Sequence, residues 1–194
     1  HLDEGGAAAG EIDGADHLNG DGAYLNVPAS DTLQPATAFT IGLWAKSDTN
    51  NWNENGYLIS KRDAYILHPN QGQRSLNFYY YAGGWRTAAY TPADITNWHY
   101  YAGTYDGATA RLYFDGVQVS ADASGAGPIN PDGGVVTIGR DDGQPRYLDG
   151  WVDEARVSCV TRSSNWVYTC WLSQASNASF LAFSDAGPAV TGLS

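Results

Sequence analysis

Two Asp-Gly pairs, Asp106-Gly107 and Asp115-Gly116, bracket a short run of alternating side chains in WHYYAGTYDGATARLYFDGVQV, residues 98–119. Glycine tolerates positive φ without steric cost, so Asp-Gly between β-rich runs marks a hairpin. Trp98 to Tyr105 is aromatic, β-branched or small, which suits a pleated strand. In the return strand Ala110, Leu112 and Phe114 share one face, and Arg111 and Tyr113 the other. Val117-Gln118-Val119 completes a three-strand meander. The same alternation of strand and turn runs along the chain. Strands are predicted over Ala23–Val27, Phe39–Ala45, Tyr57–Lys61, Ala64–His68, Ser75–Tyr81, Trp85–Tyr90, Val135–Gly139 and Tyr147–Val157. No helical period occurs before residue 160, and one short helix is predicted from about Ser164 to Leu172, capped by Ser163 or Ser164. Short strands at spacings of about ten residues argue an all-β, two-sheet antiparallel sandwich or jelly roll with one short C-terminal helix.

Of the 194 residues, 43% are hydrophobic and 13% aromatic, enough for one full core. Residues 1–13 read as a flexible lead-in, 14–183 as the folded domain, and 184–194 (SDAGPAVTGLS) as a linker-like tail of a larger multidomain chain. The net charge of −11 argues against nucleic acid and anionic lipid as partners. No apolar run approaches the roughly 18 residues of a membrane span. Cys159 and Cys170 form an even pair, which suggests one disulfide worth about 3 kcal/mol in a secreted or cell-surface chain. Two free buried thiols are the alternative. His1, His17, His68 and His99 are isolated in sequence and show no zinc-ligand spacing.

FTIGLWAK, TNWHYYAGTYDGATARLYFDGVQV, TIGR, YLDGWVDEARVS and TRSSNWV, in that order, resemble a LamG-like jelly-roll domain of the concanavalin A-like lectin/glucanase superfamily, in a subgroup found in bacterial secreted and surface proteins. The likeness extends from Gly14 to Phe183. It implies two stacked antiparallel sheets with ligands on the concave face or on the loops at its rim. It also implies a structural calcium between the first and last strands. Asp153 sits where relatives place a calcium-ligating aspartate, and Asp21 in the Asn19–Gly22 turn could add oxygens; calcium prefers six to eight of them. Otherwise Asp153 would pair with Arg156 or Arg140, and Asp21 would only shape its turn.

The superfamily's glucanases carry Glu-x-Asp-x-x-Glu on a central strand, and Glu11-Ile12-Asp13-Gly14-Ala15-Asp16 is similar. It ends in Asp, contains Gly, and precedes the first predicted strand, so nothing there fixes a carboxylate pair. Asp153 and Glu154 are neighbours on a strand and point to opposite faces. Ser75 to Tyr81 and Trp98 to Tyr105 contain no Asp or Glu, so no catalytic residue is expected. Aromatic surface remains. Tyr79 and Tyr81 share a face opposite Phe78 and Tyr80, while Trp52 and Trp85 lie in or beside loops. Sugar rings pack their C–H faces on flat aromatics while Asn53, Arg62, Asn77 and Arg86 could bond hydroxyls. The expected function is a non-catalytic carbohydrate-binding module recognising a polysaccharide or glycan. An adhesion module with a protein partner is the alternative, and a glycan hydrolase or lyase is disfavoured.

Overall fold

The structure, a computed structural model, describes residues 8–54, 56–69 and 72–176. The predicted tail 184–194 and the first seven residues of the lead-in lie outside the described residues. In chain order the strands are β1 (Ala8–Ala9), β2 (Gly14–Asn19), β3 (Leu25–Val27), β4 (Phe39–Lys46), β5 (Ile59–Lys61), β6 (Tyr65–Pro69), β7 (Leu76–Tyr81) and β8 (Trp85–Tyr90). Then follow β9 (His99–Tyr105), β10 (Ala110–Phe114), β11 (Val117–Asp122), β12 (Val136–Ile138), β13 (Arg140–Asp141), β14 (Arg146–Tyr147) and β15 (Asp149–Ser158), with helix α1 at Ser164–Ala175. A seven-stranded sheet runs β1-β2-β15-β4-β9-β10-β11, a six-stranded sheet runs β3-β12-β5-β6-β7-β8, and β13-β14 is a separate hairpin. Neighbouring strands pair antiparallel throughout both sheets. This is the all-β jelly-roll sandwich the alternation predicts.

The core lies between the sheets. Phe39, Ile41 and Leu43 from β4 meet Tyr65 and Leu67 from β6 and Phe78 and Tyr80 from β7, all fully buried. Phe39 stacks on Tyr65 at 4.8 Å. Gly103 on β9 lets the sheets approach, since a Cβ there would lie 2.7 Å from the Phe78 ring. A second cluster forms on the outer side of the seven-stranded sheet, where Trp44, Tyr100, Ala102 and Tyr113 are covered by Val167 of α1. Ser163 caps the helix by accepting from the Trp166 amide, and the Trp44 indole donates to Gln174 Oε1 at 2.8 Å.

Two expectations are corrected at the ends of the domain. The lead-in is not wholly free: Ala8 and Ala9 pair with Ala15 and Gly14, and Gly14–Asn19 is a strand against β15. Asp16, His17 and Asn19 hid this strand: Asp16 shares the face of buried Leu18, so no apolar alternation marks β2. Cys159 and Cys170 are both free thiols. The Cys159 thiol donates to the Thr32 carbonyl, and Cys170 accepts from Arg156 at 3.4 Å.

Candidate functional site

Leu76, Phe78 and Tyr80 point into the core, so alternation sends Asn77, Tyr79 and Tyr81 to the outer face of the six-stranded sheet. Register then fixes their neighbours. Ser60, Ile66, Tyr79 and Thr87 lie side by side across β5 to β8, and His68 lies opposite Asn77. Tyr81 faces Trp85.

On this face Tyr57, Arg62, Asp63, Ile66, His68, Tyr79 and Trp85 line a trough of about 220 Å³. The rings form a continuous series. Tyr57 stacks on His68 at 4.0 Å and 14°, His68 lies 6.2 Å from Tyr79, and Trp85 stands edge-on to Tyr79 and to Tyr81. Trp85 is 41% exposed, unusually open for its size. The polar wall is held from the β13–β14 hairpin. Arg62 Nη1 donates to Asp141 Oδ2 at 2.6 Å, and the Asp141 side chain is fully buried. Asp141 Oδ1 accepts the Gly143 amide, and Arg146 Nη1 donates to the Tyr57 hydroxyl at 3.2 Å.

His68 Nδ1 lies 2.9 Å from the Gly56 carbonyl. A carbonyl only accepts, so the proton sits on Nδ1 and Nε2 is the ring's acceptor. Burial pushes the imidazole below its ordinary pKa, with the Gly56 hydrogen bond opposing in part. Burial likewise raises the Tyr57 and Tyr79 hydroxyls. The trough therefore offers neutral aromatic faces beside one fixed ion pair. That arrangement suits apolar ring faces with attached hydroxyls.

Of the eight residues expected to bind ligand, Arg62, Tyr79 and Trp85 come together here, and Tyr81 adjoins them through Trp85. The other four do not. Trp52 is 1% exposed and packs edge-on against Tyr101 in the core; its side chain turns inward from an exposed polar loop, with the Trp52 amide donating to the Gln73 carbonyl. Asn53 is a structural clamp: its amide donates to the Tyr147 carbonyl and its oxygen accepts the Asp149 amide. Asn77 shares the face but is buried. Arg86 faces the other way on β8, opposite Tyr80, against Gly125. Tyr57, Ile66 and His68 were not singled out from sequence. For Ile66 and His68 the signal was present, since they alternate with core-facing Tyr65 and Leu67.

The residues proposed for calcium do not fit as a pair. Val152 is opposite Asp16, so Asp153 lies level with Ala15. Asp21 lies beyond Asn19, where β2 ends, and the four strand steps from Ala15 to Asn19 alone span about 13 Å. Asp153 is 9% exposed and accepts the Ile12 amide at 3.0 Å, while Asp21 sits in a turn whose amide donates to Asn19 Oδ1. Neither alternative partner meets Asp153 either: Arg156 pairs with Glu154, and Arg140 lies over the Tyr24 ring. The glucanase-like stretch is also dispersed. Glu11 packs towards Asp153, with burial first and the Asp153 charge second raising its pKa, and Asp16 lies within β2.

No curated protein matches the chain. Several solved structures share its fold. The binding domain of Paraclostridial Mosquitocidal Protein 1 aligns with TM-score 0.71 at 13% identity, over 89% of this chain and 47% of that one. Domain 4 of AbnA, a GH43 extracellular arabinanase from Geobacillus stearothermophilus solved with arabinotriose, aligns with TM-score 0.68 at 15% identity, over 87% and 81%. Domains LG4-5 of the mouse laminin alpha1 chain align with TM-score 0.56 at 21% identity, over 74% and 40%. The chain thus spans about half the length of the mosquitocidal binding domain it resembles. The Laminin_G_3 profile matches residues 19–168, and the chain belongs to this family of the concanavalin A-like lectin/glucanases superfamily.

Proposed function

We infer that this domain is a non-catalytic carbohydrate-binding module, and that the trough on the outer face of the six-stranded sheet holds the sugar. The observation that carries the reading is the series Tyr57, His68, Tyr79 and Trp85 beside the Arg62–Asp141 pair. Flat rings stack on sugar C–H faces while the ion pair offers donors and acceptors to hydroxyls. The trough is smaller than the roughly 300 Å³ of an ordinary small-molecule pocket. It fits one ring of a glycan with the rest of the chain running over Trp85. The AbnA domain, similar in fold, was solved with a trisaccharide, which supports the class of ligand and not its identity. Secretion as part of a larger polysaccharide-directed protein belongs to the same reading. Hydrolysis would need a pair of carboxylates free to act in the trough, and Asp141 is held by Arg62.

A second reading, an adhesion module, draws on the exposed Tyr168 of α1 and Val117 of β11. A glycan array on the purified domain, followed by calorimetry on the best ligands with parent and Trp85→Ala, separates the two. Selective binding lost in the variant supports the carbohydrate module. A silent array from a folded domain overturns it within the glycans displayed.

A further inference from the structure

The histidines are isolated in sequence, yet the fold brings one of them to two carboxylates. His17 lies on β2, Asp48 follows β4, and Asp149 opens β15. One ligand atom from each falls within 4.8 Å of the other two. His17 pairs with Trp151 and Asp149 with Asn19, so the imidazole and Asp149 project from one face of the β2–β15 ladder. His17 Nε2 lies 2.9 Å from Asp48 Oδ2.

The surroundings hold these groups in place. The Trp151 indole donates to Asp48 Oδ1 at 2.8 Å, which leaves Oδ2 turned to the imidazole. The His17 ring lies 4.3 Å from the Trp151 ring. Gly20, at φ 71°, packs against Asp149, where a Cβ would come within 3.1 Å of the Asp149 Cβ. Fixing the first ligands through their neighbours is how metal sites gain affinity. No Lys or Arg among the described residues forms an ion pair with Asp48 or Asp149. Lys46, the nearby cation, lies over the Trp98 and Trp151 rings instead, 5.1 and 4.9 Å from their centroids.

The geometry points to a surface site for a divalent transition metal of the zinc class, ligated by His17 Nε2 and the carboxylates of Asp48 and Asp149. An imidazole nitrogen with two carboxylates suits zinc, cobalt or nickel better than calcium, which takes oxygen ligands. Bonds of about 2.1 Å put tetrahedral ligands about 3.4 Å apart, so small carboxylate rotations close the present spacing. Metal replaces the proton on Nε2, and its remaining positions face solvent and carry water. The site sits on the seven-stranded sheet and is independent of the sugar trough.

Cobalt(II) titration of the intact domain, read by visible absorption and by quenching of tryptophan fluorescence, tests this. His1 and the two cysteines are ligands in their own right, so the reading is the difference between parent and variants. The expected result is saturable binding of one equivalent that weakens about tenfold or more in His17→Gln and in Asp149→Asn. The quench attached to that equivalent disappears in Trp151→Phe. Should His17→Gln fail to fold, Asp48→Asn and Asp149→Asn decide. Absence of saturable binding in the parent, or equal affinity in parent and variants, overturns the site.

Discussion

Trp85 meets Tyr79 edge to face, with ring centroids 6.4 Å apart and planes at 90°. The indole is 41% exposed and has little to do with holding the sandwich together. Trp85→Ala should therefore leave the thermal midpoint nearly unchanged. It should cost about 2 kcal/mol of ligand affinity, a loss of roughly thirtyfold by calorimetry, as for an aromatic anchor at a binding hot spot. A variant that unfolds, or that binds as the parent does, would move the sugar away from this trough.

Trp52 should behave in the opposite way. It is 1% exposed and lies edge-on to Tyr101, 6.2 Å between ring centroids. Trp52→Ala leaves a cavity the sandwich cannot easily close, and should cost about 3–5 kcal/mol in urea unfolding. Any population that remains folded should bind glycan as the parent does, because Trp52 does not reach the trough.

The contrast between these two tryptophans shows how far the sequence could be read. Tyr79 and Tyr81 were placed correctly because strand parity is local: Phe78 and Tyr80 take the core, and their neighbours must face outward. Trp52 was misplaced because its burial depends on contacts far along the chain, with Gln73 and Tyr101. Its polar neighbours describe only the loop's outer side. The separation of Asp21 from Asp153 was equally hidden, since it follows from the register of β2 on β15. The His17–Asp48–Asp149 cluster joins three segments that no spacing rule connects.

Asp141 links the fold to the trough. Its side chain is fully buried and takes a 2.6 Å hydrogen bond from Arg62 and a second from the Gly143 amide. Asp141→Asn keeps the shape but removes the charge that holds Arg62. The expected cost is about 1–3 kcal/mol in denaturant unfolding, because Arg62 is half-exposed and regains water. Glycan affinity should fall as well, since Arg62 loses its fixed position. Unchanged stability would show that the pair is only a surface contact.

His99 makes the stability pH-dependent with a definite sign. Burial lowers its pKa, but hydrogen bonds and charges from Asp115 and Asp94 outweigh burial and raise it above its ordinary value. The folded state therefore binds the proton more tightly than the unfolded chain. This contribution is fully present below the unfolded imidazole pKa of about 6.5, and is lost as pH rises through the folded value. His68 has the opposite shift, driven by burial, and loses its contribution as pH falls from about 6.5 through its lowered folded value. The two contributions change on opposite sides of about pH 6.5, so together they give a stability maximum near that pH. Imidazole NMR titration should place His99 above and His68 below the ordinary range. In His99→Gln, unfolding free energy should no longer decline with pH across the His99 window, while the rise due to His68 at lower pH remains. Coincident titration of the two rings would contradict both assignments.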